Sequence, residues 1–158
     1  MAEENARIDR FDRVILRELR NDARMSFRDL GLKAGLSANA VAERVRRLVS
    51  TRVIRGFHAD LNLAALGYRL FAFVDIKTGA KAGPGSLEKA LTEIPQIQRA
   101  TWTTGNYDFT LEVACKDQED LVHLIETIRT RVPISETYTR LIGRELGGTR
   151  HSVPELGR

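Results

Sequence analysis

The sequence predicts an α+β chain of two modules: three short helices, then a four-stranded sheet with two helices. Three observations carry that reading. Apolar residues recur at helical spacing through residues 8–48, each run preceded by a capping residue. From Tyr68 onward, β-prone runs and two further helical runs follow in the order β-α-β-β-α-β. Between them the character changes at Leu66-Gly67-Tyr68.

Composition bounds the answer. With 158 residues, 42% apolar and 29% charged, the chain is globular and has room for one medium domain or two small ones. A net charge of +4 and an isoelectric point of about 9.6 permit a nucleic-acid partner without requiring one. No apolar run reaches membrane-spanning length, and residues 1–10 carry no signal-peptide pattern. The expectation is therefore a cytoplasmic protein with no membrane partner. A single cysteine, Cys115, rules out an internal disulfide. It lies in an apolar run and is expected to be a buried small residue rather than a nucleophile. One cysteine and three scattered histidines (His58, His123 and His151) match no ligand spacing. No metal, no cofactor and no catalytic set is expected.

In the first module, residues 1–7 are read as a loose arm. Asp9 caps the first helix, with Asp12 three residues on in a box-like arrangement. Ile8, Ile15, Leu16 and Leu19 supply its buried stripe. Asn21-Asp22-Ala23-Arg24 ends it as a turn. Ser26 caps a second, short helix that holds Phe27, Leu30 and Ala34. Gly35 and Leu36 connect tightly to a third helix, capped by Ser37. On that helix Val41, Val45 and Leu48 share one face, opposite Asn39, Glu43, Arg46, Arg47 and Ser50.

Three helices with a short glycine turn before the third is the helix-turn-helix plan. The outward face of the third helix suits base edges: Asn pairs with adenine, Arg with guanine or phosphate, and Glu accepts from cytosine. Alone, such a helix reads first as an ordinary amphipathic helix with a solvated face; its neighbours reverse that reading toward DNA. Arg44, Arg46, Arg47, Arg52 and Arg55 occur with no acidic residue between them and are expected to face phosphates. The expected DNA-binding set is Ser37, Asn39, Glu43, Arg44, Arg46, Arg47 and Arg52, and the expected partner is double-stranded DNA. Residues 53–61 read as an extended segment.

In the second module, residues 68–77 form a β-prone run and residues 79–85 a flexible loop. Ser86 is read as the cap of a helix carrying Leu87, Ala90, Leu91 and Ile94, stopped before Pro95. Residues 97–104 and 109–115 are two strands around Gly105-Asn106-Tyr107-Asp108. Asp117 caps a helix whose stripe is Leu121, Leu124, Ile125, Ile128 and Val132. Residues 135–146 form the last strand. This order is the ferredoxin-like plan, with both helices on one sheet face and the other bare. A second copy of the chain is the simplest cover for that face. The expected organisation is an N-terminal winged helix-turn-helix over residues 1–53, a hinge strand and linker over 54–67, a βαββαβ dimerisation and effector-binding domain over 68–146, and a flexible tail over 147–158.

Taken together, these residues resemble the Lrp/AsnC family, the feast/famine regulators of prokaryotes, over residues 8–146. The likeness rests on Ile8-Asp9, Asp12, Ile15-Leu16 and Leu19, then Arg24 and Phe27. It continues in Gly35-Leu36-Ser37, Ala40-Val41 and Arg44 to Leu48, and in Thr104 to Asp108 at the central hairpin. The resemblance implies DNA binding by the first module. It also implies dimers that assemble further, such as into an octamer. A small effector, most often an amino acid, is implied between dimers near the hairpin. By position the effector candidates are Thr101, Trp102, Thr104, Gly105, Asn106, Tyr107 and Asp108. Asp108 could accept from an ammonium group, and backbone amides could hold a carboxylate. The same four hairpin residues are also good turn chemistry, and both readings stand.

Two positions depart from the family pattern. Arg52 stands where glycine is usual after the third helix, which puts the wing geometry in question. Gly31 stands where alanine is usual, with an expected softening of about 1 kcal/mol. Two other functions share the layout. Proteins resembling this family decarboxylate sirohaem, but such chemistry needs a cluster of histidines or arginines around a pocket, and His58, His123 and His151 form none. An architectural DNA-binding protein without a ligand would share every DNA feature named above.

Overall fold

A computed structural model describes residues 8–79 and 84–144. The expected arm, the tail with His151, and loop residues 80–83 lie outside them. The chain divides between Asp60 and Leu61 into two compact units.

The first unit is α1 (Arg10–Asn21), α2 (Phe27–Ala34) and α3 (Ala38–Ser50). Each start is set by a side chain that satisfies an otherwise orphaned backbone N–H, worth about 1 kcal/mol apiece. Asp9 accepts from the Phe11 and Asp12 N–H groups, and Asp12 accepts in return from the Asp9 N–H. Ser26 accepts from Asp29 N–H and Ser37 from Ala40 N–H. Asp22 closes α1 by accepting from Arg24 N–H. The core is small: Ile15, Leu19, Leu30, Ala34, Val41, Val45 and Leu48. Phe27 is 44% exposed. It lies on the same side of α2 as Leu30 and Ala34 but at the first position of the helix, one turn before the packed stretch.

The turn between α2 and α3 depends on two glycines. Gly35 takes a left-handed φ of 67°. Gly31 is buried, and a Cβ there would lie 2.5 Å from the Leu36 carbonyl oxygen and 3.5 Å from Ala38 N. Gly31 thus makes room for the returning chain, which the expectation of simple helix softening missed.

No strand forms between Thr51 and Arg69. The segment expected to be extended over 53–61 joins no β-ladder, so no β-ladder wing is formed among the described residues. A strand needs a neighbour to pair with, and residues 55–62 have none and are exposed throughout.

The second unit holds β1 (Leu70–Thr78), α4 (Pro84–Thr92), β2 (Ile97–Trp102), β3 (Phe109–Cys115), α5 (Gln118–Arg131) and β4 (Ile134–Leu141). The sheet is antiparallel with order β2-β3-β1-β4, which is the βαββαβ plan. Ala72, Val74 and Ile76 from β1 and Phe109, Leu111, Val113 and Cys115 from β3 point to one face. Leu87, Leu91 and Ile94 pack on it from the α4 segment, and Leu121, Leu124, Ile128 and Val132 from the α5 segment. Cys115 is fully buried, and burial, helped by Asp120 and Asp117, pushes its thiol up to about 11. It is chemically quiet, as its position in an apolar run suggests.

Several boundaries differ from expectation; β1 runs Leu70–Thr78 rather than 68–77, and β2 ends at Trp102 rather than at 104. The α4 helix starts at Pro84, so Ser86 lies inside it; proline suits a first helical position because its missing N–H would be unbonded anyway. That helix ends at Thr92, where the Thr92 hydroxyl turns back to the Glu88 and Lys89 carbonyls. The last strand ends at Leu141; Ile142 N–H still bonds Phe71 O, and residues 142–144 carry no further ladder, while 145 and 146 of the expected strand lie outside the described residues.

Candidate functional site

The third helix is held from behind and open in front. Val41, Val45 and Leu48 are buried, whereas Asn39, Glu43, Arg46 and Ser50 are exposed on the far side. Ser37 is occupied as the N-cap. Asn39, near the helix start, and Arg46, two turns on, therefore lie on one accessible surface with Glu43 between them.

The arginine run is not uniform. Arg44 Nη1 donates to Asp9 Oδ2 at 2.6 Å and to Asp12 Oδ1 at 2.9 Å. Its guanidinium also lies 5.3 Å from the centre of the Phe11 ring, while that of Arg10 lies 4.6 Å from it. Arg47 Nη2 donates to Asp12 Oδ2 at 2.6 Å, with the rest of its side chain half exposed. Burial pushes the Asp9 carboxyl up. The Asp12 N–H, the Arg44 guanidinium and the Phe11 N–H outweigh that and hold it below the usual range. Sequence reading treated Asp12 only as a capping-box residue. The overlooked signal is its register: Asp12, Ile15 and Leu19 share one stripe, and a carboxylate on an apolar stripe needs a buried partner.

Past α3, Thr51 N–H bonds back to Arg47 O, Arg52 N–H to Val49 O and Ile54 N–H to Leu48 O. Arg52 sits in the middle of this turn with φ 56°, a left-handed conformation that costs a non-glycine residue about 1–2 kcal/mol. The turn keeps the geometry that suits glycine while carrying a cation.

In the second unit the expected effector residues do not converge. Thr101 and Tyr107 belong to the sheet face without helices. There the Tyr107 ring lies 6.2 Å from that of Tyr138, and its hydroxyl donates to Glu136. Trp102 belongs to the helix side of edge strand β2 and is 67% exposed. With Glu88, Ala100 and Phe109 it lines an open cleft of about 160 Å³. Asp108 Oδ2 accepts from both the Thr78 N–H and the Thr78 hydroxyl at 2.7 Å. Those two bonds, backbone first, hold its carboxyl below the usual range against a weaker effect of burial. Asp108 thus ties the hairpin to the end of β1. Asp108 N–H also bonds Ile76 O, and Thr103 N–H bonds Asp108 O. Gly105 has φ 118°, and Thr104 and Asn106 are exposed at the tip.

The helix-free face is bare but not greasy. Asp75 is buried there, accepting from the Thr110 hydroxyl at 2.6 Å and from Arg140 at 2.8 Å. The Arg140 guanidinium lies 5.4 Å from the centre of the Phe73 ring. Tyr138 is half exposed beside them. Among the described residues no cluster of His, Cys, Asp or Glu could hold a metal, and no helix is long and apolar enough to cross a membrane.

Comparison with known proteins decides what these units are. Residues 8–49 match the AsnC-type helix-turn-helix domain, and residues 70–150 match the Lrp/AsnC ligand binding domain. The chain belongs to the Lrp/AsnC family. It is a DNA-binding transcriptional regulator with a ligand-binding domain. Among its relatives, the HTH-type transcriptional regulator Rv2324 of Mycobacterium tuberculosis is 34% identical over 136 residues, covering 86% of this chain and 92% of that protein. The HTH-type transcriptional regulator Ptr1 of Methanocaldococcus jannaschii is 38% identical over 117 residues, covering 72% and 76%. A solved feast or famine regulatory protein of M. tuberculosis, complexed with L-methionine, is 32% identical with a TM-score of 0.87, covering 93% of this chain and 99% of that one. The Lrp/AsnC assignment makes α3 and the hairpin end of the sheet the two surfaces of interest.

Proposed function

We propose that this Lrp/AsnC regulator reads duplex DNA sequence with the outward face of α3 and that an amino-acid-like effector alters its assembly. The observation that carries the DNA reading is the accessible row Asn39, Glu43, Arg46 on a helix fixed from behind by Val41, Val45 and Leu48. Asn39 and Glu43 meet base edges; Arg46, Arg47 and Arg52 meet phosphates, and Ser37 presents the helix start. Arg44, engaged by two carboxylates, places α3 rather than reaching DNA. The working form is a dimer or a larger ring in which the helix-free sheet face is covered by a second copy. The exposed Tyr138 on that face supports this.

The effector lies at the Trp102 cleft beside the hairpin. Glu88 supplies an acceptor for an ammonium group, and Trp102 and Phe109 supply apolar contact; backbone N–H groups of the adjoining hairpin are the donors this reading calls on for a carboxylate. The L-methionine complex of the M. tuberculosis relative supports a ligand of this class. Asp108 keeps the hairpin in place in this reading. An effector that prefers one assembly shifts the population toward it by no more than its differential affinity.

Fluorescence anisotropy tests the DNA half. Asn39→Ala should cost on the order of 1–3 kcal/mol on a selected site and much less on random duplex. Equal losses on both would remove Asn39 from base reading. A thermal-shift screen of the common amino acids tests the other half, since a ligand raises apparent stability by mass action. The shift should vanish in Trp102→Ala and shrink in Glu88→Gln. A hit that survives both changes lies elsewhere.

A further inference from the structure

We propose that Asp12 is a positioning residue that limits how much of the positive charge of α3 is offered to DNA, and that it thereby sets the strength and salt dependence of duplex binding. The inference rests on the reading that α3 faces DNA. Asp12 has a fully buried side chain. It takes Arg44 on one oxygen, and Arg47 together with the Asp9 N–H on the other. Asp9 takes Arg44 as well. Two carboxylates therefore stand against two guanidiniums along the α1 side of α3.

The consequence is electrostatic. Arg47 is half exposed and has five N–H donors, so it can reach a phosphate while one nitrogen stays on Asp12. Its charge toward that phosphate is nevertheless opposed by a carboxylate 2.6 Å away. Random duplex is held almost wholly by charge, through release of condensed counterions. A preferred site adds base contacts that do not depend on that charge. The phosphate term is common to both, so cancelling part of the charge of α3 weakens binding to either duplex by a similar factor. Asp12 also fixes the direction of Arg47, and so the register of α3 on the backbone.

The test is Asp12→Asn in the full chain, read as affinity against salt on a selected site and on a random duplex of equal length. The amide keeps an acceptor for the Asp9 N–H and removes the charge. Affinity for both duplexes should rise several-fold and both log–log salt slopes should steepen, by at most about 0.9 for the one phosphate that Arg47 meets, with the preference ratio little changed. In an Arg47→Gln background the same change should leave the slope where Arg47→Gln alone puts it. A purely structural Asp12 would lower stability and weaken both duplexes alike, and that result overturns the proposal. So does a slope change that persists without Arg47. Should Asp12→Asn fail to fold, Arg47→Gln alone still tests the proposal: with the charge of Arg47 held by Asp12, its loss should flatten the slope by clearly less than the roughly 0.9 of a full phosphate contact. Flattening by that full amount overturns the proposal. If the wild-type chain binds no duplex at all, it is the reading of α3 that fails, not the role given to Asp12.

Discussion

The two units build their surfaces in opposite ways. The first presents one helix, so Asn39, Glu43 and Arg46 are neighbours in sequence as well as in space. The second collects its surfaces from separate strands: Asp75 meets Thr110 and Arg140, and Tyr107 meets Tyr138 and Glu136. Each unit has a buried carboxylate that is met by arginine from elsewhere in its fold. Asp12 does so across 32 and 35 residues, and Asp75 across 65. A helix face survives small changes in packing because its spacing is internal to the helix. A face drawn from three strands exists only while the sheet holds its register.

That contrast can be broken. The largest effect belongs to Leu111→Ala in the sheet core, which should destabilise the second unit by about 2–5 kcal/mol. Leu111 is fully buried, and the two cores share no residue. Hydrogen exchange should show lost protection across β1 and β3 while the amides of α1 and α3 keep theirs. Matching loss in both units would show that they fold as one. Next in size is Gly31→Ala. Helix propensity alone favours alanine by about 1 kcal/mol, but the close Leu36 carbonyl opposes it. The net result should be a loss of about 1–3 kcal/mol confined to the first unit. A rise in melting temperature would show that the turn yields. The smallest effect sharpens the comparison. Arg52→Gly should relieve a left-handed residue and gain about 1 kcal/mol, while duplex affinity falls modestly with the lost cation. A stability gain with unchanged affinity would take Arg52 out of the phosphate contacts.

How much was legible followed the same division. The order of helices and strands, the caps Asp9, Ser26, Ser37 and Asp117, and the stripes Val41/Val45/Leu48 and Leu121/Leu124/Ile128 can all be read along the chain. Each rests on an energy decided within a turn or two: a hydroxyl or carboxylate reaching a nearby N–H, or apolar side chains recurring with the period of the backbone. The sequence by itself therefore determined which helices and sheet strands form and which face of each is buried, though not that the expected hinge strand over 54–67 stays unpaired. The tertiary structure alone decided which arginines of α3 are tied down and that Gly31 lies under a carbonyl. It alone decided that Asp108 holds Thr78 and that the candidate effector residues face different sides of the sheet. Those outcomes depend on packed geometry between groups five to more than sixty residues apart. No local propensity carries that geometry, because the energy of an ion pair or a close contact is decided by distances that exist only once the chain has folded.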